Sequence, residues 1–134
     1  MPGEQIGEEQ GRITGMRVLA ADGGHAVVGA SFQGAGALRG KPVKDMGTYE
    51  SVVRADGTLF GDGQGVVTTG SGEVLTWHGS GVGRFTEPGG VNWRGAIFYE
   101  AAAGGFEGLT GISVLFEFDT EESGEVTARL FEWT

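Results

Sequence analysis

The sequence predicts an all-β fold: an eight-stranded antiparallel up-and-down β-barrel with meander topology. From Gly11 onward, short segments rich in Val, Phe and Trp alternate with turn signals about every 8–14 residues. The 28 glycines follow no collagen-like period and lie inside those segments, which is typical of strongly coiled sheets. Closing the sheet into a barrel also removes the edges that an open sheet of this composition would expose.

Composition limits the kinds of partner. The 134 residues suffice for one domain, and we expect a flexible N-terminal tail over 1–10 and a single barrel over 11–134. A net charge of −9 argues against nucleic acid or an anionic membrane as a partner. Without cysteine or a metal-ligand motif, no disulfide, metal or cofactor is expected. The start of the chain has no signal-peptide pattern, so a cytoplasmic location is expected.

Turn signals divide the chain into eight strands. Gly-rich or Pro-containing segments end the first, second and fifth strands, and an acidic turn with Ser123-Gly124 precedes the last. The segment 103–111 is a longer connection in which a single helical turn is possible. The predicted strands are 11–20, 25–39, 43–55, 58–70, 73–86, 91–102, 112–119 and 125–133.

The centre of the chain, 43–86, predicts three strands joined by two tight hairpins. Asp56-Gly57 indicates a two-residue type I′ turn, and Ser71-Gly72 is a weaker signal of the same kind. Two-residue turns fix the register, and the register decides which side chains share a face. The face richer in aromatic residues, which we predict to be interior, carries Tyr49, Ser51, Val53, Phe60, Asp62, Gln64, Val66, Leu75, Trp77 and Phe85.

The flanking strands extend this predicted interior. If Arg39 lies opposite Pro42, Phe32 lies opposite Tyr49 and joins the same face. A four-residue loop before strand 6 would direct Arg94, Phe98 and Glu100 inward, whereas a five-residue loop would direct Trp93, Ile97 and Tyr99 inward. We favour the first alternative, because the glycines of strand 5 would leave room for long side chains.

A polar island on this face is the candidate site. Asp62 is a candidate general acid or base, Tyr49 a candidate donor to a ligand carbonyl or enolate, and Gln64 a candidate orienting group. The alternative is an internal hydrogen-bond network that serves only stability. The candidate substrate-binding residues are Phe32, Ser51, Phe60, Trp77, Arg94, Phe98 and Glu100, with core packing or surface charge as their structural alternatives.

Four segments, GTYES, GDGQGVVTTGSGEVLTWHGSGVGRFT, VNWRGAIFY and ARLFEWT, resemble the allene oxide cyclase-like, calycin-type barrel group. That group includes plant allene oxide cyclases and bacterial spirotetronate cyclases, and the likeness is greater to small uncharacterised prokaryotic barrels. The resemblance implies a cavity for a small apolar unsaturated molecule, catalysis mainly by shaping the substrate, no cofactor, and a homo-oligomer.

Three functions follow for such a barrel. The first is a cofactor-free cyclase or isomerase in which Tyr49, Asp62 and Gln64 supply the polar contacts. The second is a non-catalytic, lipocalin-like binding protein for a hydrophobic ligand. The third is a structural barrel whose interior is filled by side chains.

Overall fold

The computed structural model describes residues 3–100 and 105–134, and within them it confirms a closed antiparallel barrel in meander order. Each strand pairs with the next, and β8 pairs with β1 to close the sheet. The elements are β1 (Gln5–Asp22), β2 (His25–Leu38), β3 (Lys41–Val53), β4 (Leu59–Thr69), β5 (Val74–Phe85), β6 (Val91–Glu100), a 3₁₀ helix (Leu109–Gly111), β7 (Ser113–Thr120) and β8 (Glu125–Trp133). The last two residues of the predicted sixth strand, 101–102, lie outside the described residues, as do 103–104 of the predicted connection.

The first strand begins at Gln5, six residues before the predicted start. Residues 7–12 pair with β8 on one side and with β2 on the other, so this polar segment closes the barrel. Alternate residues of the segment, Gly7 and Glu9, are buried. A strand with partners on both sides satisfies its backbone groups without needing an apolar sequence.

Four hairpins share a three-residue loop that ends in a glycine with positive φ. In the β3–β4 hairpin, Arg54 N donates to Thr58 O at 2.8 Å and Gly57 N donates to Arg54 O at 2.9 Å. This is a type I turn followed by a left-handed residue. The glycines at the third loop position are Gly57, Gly72, Gly89 and Gly124. The two-residue turns predicted at Asp56-Gly57 and Ser71-Gly72 are therefore wrong. Two-residue loops with positive φ at both positions instead lie at Gly23-Gly24 and Arg39-Gly40.

One extra loop residue reverses the predicted faces of β4. Val53 pairs with Leu59 instead of Phe60, and a one-residue shift moves every side chain of a strand to the other face. Phe60, Asp62, Gln64 and Val66 consequently point outward, while glycines and Leu59 point inward. The second loop adds a second one-residue shift, which cancels the first, so Trp77 of β5 is interior as predicted.

Of the neighbouring strands, β2 has the predicted face toward the interior and β6 has the opposite one. Phe32 is buried as predicted, although it lies opposite Gly47 instead of Tyr49, because a two-residue shift preserves the face. The β5–β6 loop has three residues and places Trp93, Ile97 and Tyr99 inside. This is the face of the alternative that we did not favour, and Arg94, Phe98 and Glu100 lie outside.

Inward-facing glycines provide space for the aromatic side chains of the core. Gly47, Gly65 and Trp77 are successive cross-strand neighbours in one row of the barrel. A Cβ atom on Gly47 would lie 2.8 Å from Cζ2 of Trp77, and one on Gly61 would lie 2.8 Å from Cζ3 of Trp93. The indole rings therefore occupy volume that any side chain at these glycines would take. The glycine content thus reflects close packing of large rings against the wall.

Substitution of Gly65 tests this arrangement. A Cβ atom on Gly65 would overlap the indole of Trp77, so we expect Gly65→Ala to lower the free energy of unfolding by about 1–3 kcal/mol. Gly15→Ala is the matched control, because Gly15 lies in β1 with no atom within 4 Å of the added carbon. Urea unfolding followed by circular dichroism measures both variants, and equal stability for the two would contradict the packing described here.

One end of the barrel is closed by the connection between β6 and β7. Phe106 and Leu109 of this connection are buried, and they belong to the same core cluster as Leu38, Leu75 and Val114. The connection therefore fills this end with apolar side chains. No helix within 3–100 or 105–134 has the length and apolar character needed to cross a membrane.

Candidate functional site

The barrel contains a cavity of about 80 Å³. Each water-sized group needs roughly 10–15 Å³ on this scale, so the cavity accommodates a molecule of about five to eight non-hydrogen atoms. On the side of β4 and β5 the cavity is lined by Gly61, Gly63, Gly79 and Gly81. The aromatic residues of the wall are Phe32, Tyr49, Trp77, Trp93, Tyr99, Phe116 and Phe118.

Two acidic side chains lie in this apolar interior. Glu9 of β1 is 6% exposed and Asp45 of β3 is 7% exposed, and they are the buried charged residues of 3–100 and 105–134. Strand β2 separates them and presents Gly34 and Gly36 as their cross-strand neighbours. The Glu9 carboxyl group extends over this strand, since a Cβ atom on Gly34 would lie 3.4 Å from Oε1 of Glu9.

The hydrogen bonds of the pair locate its proton. Trp77 Nε1 donates to Asp45 Oδ1 at 2.9 Å, and a hydrogen bond joins Asp45 to Glu9. Glu9 Oε2 is buried and has no hydrogen-bond partner in the described part of the chain, so the bond to Asp45 uses Oε1. The bond between them raises the pKa of Glu9 and lowers that of Asp45, as expected where Glu9 carries the proton and Asp45 accepts it.

Burial explains why a carboxyl group stays protonated here. Burial, the negative charge of Asp45 and the hydrogen bond to Asp45 raise the pKa of Glu9 to about 9. Burial also raises the pKa of Asp45, while the hydrogen bonds from Glu9 and Trp77 oppose that increase. Near neutral pH the Glu9–Asp45 pair therefore holds one proton and one negative charge.

Two tyrosines in the wall remain neutral. Burial raises the pKa of Tyr49 to about 12, and a hydrogen bond with Trp93 partly opposes the effect. Burial, together with the charges of Asp45 and Glu9, holds the pKa of Tyr99 well above its usual value. The Tyr49 ring lies 5.6 Å from Trp93 and 5.9 Å from Phe118, centroid to centroid. Both phenols are consequently available only as neutral hydrogen-bonding groups.

Four of the predicted site residues border the cavity: Phe32, Tyr49 and Trp77 from the interior, and Asp62 from an exposed position on β4. Ser51 is half-buried, and its hydroxyl donates to the backbone oxygen of Val28 at 3.3 Å, so it serves the wall of the barrel. The four residues other than Asp62 have the predicted face because β2, β3 and β5 keep the predicted alternation.

The predicted positions of Asp62, Gln64 and Phe60 inside the barrel are wrong. The Asp62 side chain is exposed on the outer face, in a row with Glu50 and Ser80. Gln64 is also outside, where its Nε2 donates to Thr48 O at 3.2 Å. Phe60 lies on the same outer face beneath the Arg54 guanidinium, 5.9 Å from the ring centroid. The three-residue β3–β4 loop is the cause of all three errors.

The predicted inward positions of Arg94, Phe98 and Glu100 are wrong as well. Arg94 Nη1 pairs with Asp119 Oδ1 at 2.7 Å on the outer surface. Glu100 Oε1 pairs there with His78 Nδ1 at 2.8 Å, and the Phe98 ring lies 5.6 Å from the His78 ring. These residues form contacts on the outer surface and do not line the cavity.

Sequence reasoning missed Glu9 and Asp45, although one of them carried a signal. Asp45 is four residues before Tyr49 and therefore on the face of strand 3 already predicted to be interior. Glu9 lies in the polar segment GEEQ, which composition alone assigns to a tail. Its burial follows from closure of the barrel between β1 and β8, which no local pattern indicates.

The comparisons with known proteins support the fold. No protein-family model matches the sequence, and no curated protein sequence matches it. A crystal structure of a protein with unknown function from Clostridium acetobutylicum is similar, with a TM-score of 0.84, 11% identity and 100% of each chain covered. A conserved protein of unknown function from Rhodopseudomonas palustris is similar with a TM-score of 0.81 at 12% identity, over 96% of this chain and 95% of that one. An enzyme from Penicillium herquei is similar with a TM-score of 0.64 at 14% identity, over 98% of this chain and 96% of that one.

Proposed function

We propose that the barrel binds one small, largely apolar, unsaturated molecule and acts on it as a cofactor-free isomerase or cyclase. The observation that carries this proposal is Glu9 Oε2, a buried carboxyl oxygen that has no partner among the described residues and belongs to a residue of the cavity wall. An unpaired buried polar atom costs about 1–3 kcal/mol, which a bound molecule would recover. Such sites in apolar cavities are candidates for function.

The Glu9–Asp45 pair is suited to moving one proton. Glu9 Oε2 takes a proton from a substrate carbon, while the proton on Oε1 passes along the hydrogen bond to Asp45. Return of a proton to another carbon restores the pair and leaves the double bond moved or a ring closed. Nothing is oxidised or reduced, and no proton is gained or lost overall. The second proton taken up by the pair ends on Asp45, and burial raises the pKa of Asp45, so the singly charged pair is a stronger base than an exposed carboxylate.

Similarity of fold supports this reading only by analogy. The sequence resembles the allene oxide cyclase-like group, and one similar structure is described as an enzyme. Of the residues predicted to be catalytic, Tyr49 remains in the proposed site. Glu9 and Asp45 take the place of Asp62 and Gln64. Shaping of the substrate falls to the aromatic wall, including Phe32 and Trp77.

The second candidate is a non-catalytic binding barrel for a hydrophobic ligand. The predominance of aromatic residues in the wall favours it, since a static pocket needs apolar surface and only a few polar contacts. It differs from the first candidate in one measurable respect, because the bound molecule would leave the barrel unchanged.

Native mass spectrometry of the purified protein, followed by denaturation, tests whether a small molecule is retained. We expect a retained molecule that the wild-type protein converts to a product of the same mass. Glu9→Gln should lower the conversion rate by about 10²–10⁴, the usual contribution of a general base. Glu8→Gln is the matched control, because Glu8 is the neighbouring residue in the sequence and its side chain is exposed on the outer face.

The outcomes separate the candidates. Retention without conversion would favour the binding protein. Failure to retain any molecule, together with failure of benzene to bind the cavity, would contradict both candidates and favour a barrel filled for structural reasons.

A further inference from the structure

Two polar side chains of the cavity wall, those of Glu9 and Tyr49, are candidates for contact with a bound molecule. Trp77 Nε1 donates to Asp45, and the proton on Glu9 joins Oε1 to Asp45. Glu9 Oε2 is left as an acceptor or base without a partner in 3–100 and 105–134. Because Glu9 lines the cavity, its carboxyl group is the candidate base for a bound molecule.

The second candidate group is the hydroxyl of Tyr49. The indole N–H of Trp93 can only donate, so in the hydrogen bond between these residues the Tyr49 oxygen is the acceptor. The hydroxyl hydrogen of Tyr49 is not used by that bond and can be donated to a ligand. The cavity thus offers a neutral donor as well as a base.

The arrangement of the strands keeps these two groups in one space. Phe118 contacts Tyr49 and lies 4.9 Å from Phe32, centroid to centroid. In the row of residues from β7 to β1, only Ala128 lies between Phe118 and Glu9. The small side chain of Ala128 leaves the volume beside Glu9 open, and both Glu9 and Tyr49 line the cavity.

A base, a neutral donor and an aromatic wall select one ligand chemistry. A carboxylate or phosphate would face the negative charge of the pair, and an ammonium group would offer Tyr49 no acceptor. A neutral carbonyl compound satisfies both groups, because its oxygen accepts from Tyr49 and its acidic C–H meets Glu9. The phenol hydrogen bond also becomes stronger as negative charge develops on that oxygen.

We propose that the substrate is a small, neutral, enolisable carbonyl compound whose carbonyl oxygen accepts a hydrogen bond from Tyr49 while an adjacent carbon faces Glu9 Oε2. This inference rests on the proposed function, because it names the substrate class of the same site. In the step it implies, Glu9 Oε2 removes a proton from the carbon next to the carbonyl or conjugated with it. The C–H electron pair forms a carbon–carbon double bond, and the carbonyl oxygen becomes the enolate oxygen held by Tyr49.

The pair then completes the reaction. The proton on Glu9 Oε1 passes to Asp45 as Oε2 is protonated, so both carboxyl groups are neutral while the enolate exists. Return of the proton to the far carbon of a conjugated enolate moves the double bond. The step needs no oxidant, reductant or co-reactant.

Hydrogen–deuterium exchange tests this chemistry without knowledge of the natural substrate. The probe is 2-cyclohexen-1-one, which fits the size of the cavity and has exchangeable protons next to the carbonyl and in conjugation with it. Proton NMR in D₂O should show loss of these signals at least about tenfold faster with wild-type protein or Glu8→Gln than in buffer. Glu9→Gln should abolish the acceleration, and Tyr49→Phe should bring the exchange rate close to that in buffer.

Toluene is similar in size but has no carbonyl group. It therefore tests binding in the cavity separately from the proposed substrate class. We expect toluene to bind wild type and Tyr49→Phe equally, as measured by line broadening of its signals. Binding of toluene without exchange of 2-cyclohexen-1-one would overturn the substrate class and leave the cavity function standing. Failure of both probes to bind would overturn the proposed function as well. Full exchange by Tyr49→Phe would remove Tyr49 from the proposed role.

Discussion

Glu9→Gln should raise the free energy of unfolding at pH 8–9 by about 2–5 kcal/mol relative to wild type, although it removes a native side chain. The pKa of Glu9 is raised from its ordinary value of 4.5 to about 9 in the folded protein, because burial and Asp45 disfavour its charged form. Below pH 4.5 both the folded and the unfolded protein hold this proton. Between the two pKa values only the folded protein holds it, so stability falls as the pH rises and the contribution is lost above about pH 9.

The slope of stability against pH is the measurement that isolates this effect. One group can change the free energy of unfolding by at most about 1.4 kcal/mol per pH unit, and sharing of the proton with Asp45 reduces the total. The Glu9→Gln variant carries a neutral amide that can still donate to Asp45, so the destabilisation at high pH should disappear. Urea unfolding at pH 5, 7 and 9 measures the slope of the free energy of unfolding against pH. Glu8→Gln should follow the wild-type slope, and a Glu9→Gln slope equal to that of wild type would falsify the assignment of the proton.

The architecture could be predicted from the sequence because it depends on signals that are repeated along the chain. Eight segments with β-forming residues, separated by glycine-containing turns, are enough to indicate a meander. Closure of the sheet into a barrel is expected because an open sheet would expose two unpaired edge strands. An error of one residue in any turn leaves this count unchanged. The order of the strands is therefore insensitive to the details of the loops.

The site could not be predicted because it depends on those details. The Asp56-Gly57 signal predicts a two-residue turn, but the positive φ of Gly57 belongs to a three-residue loop. The two types of turn share the same Asp-Gly signal and differ by one residue, which is the shift that moves Asp62 from inside to outside. Glu9 is buried by pairing between the two ends of the chain, a contact that no local pattern specifies.

The aromatic content of the interior gives a second strong prediction. Trp77→Ala should lower the free energy of unfolding by about 3–5 kcal/mol, the usual cost of removing a buried large side chain. Trp77 is buried, its ring stacks on Phe32 with centroids 6.2 Å apart, and its ring lies in the space left by Gly47 and Gly65. Urea unfolding must be followed by circular dichroism, because loss of a tryptophan changes the fluorescence itself.

Trp77→Phe separates packing from the hydrogen bond to Asp45. Phenylalanine keeps an aromatic ring but cannot donate, so Asp45 loses one of its two hydrogen bonds, at a cost of about 1–3 kcal/mol near neutral pH. The indole N–H favours the charged form of Asp45, so its loss raises the pKa of Asp45 further. The destabilisation should therefore be smaller at acidic pH, where Asp45 can take up a proton. Trp133→Phe is the control, since Trp133 is 51% exposed and should change stability little at any pH. If Trp77→Phe matched this control at every pH, the indole would not determine the charge of the Glu9–Asp45 pair.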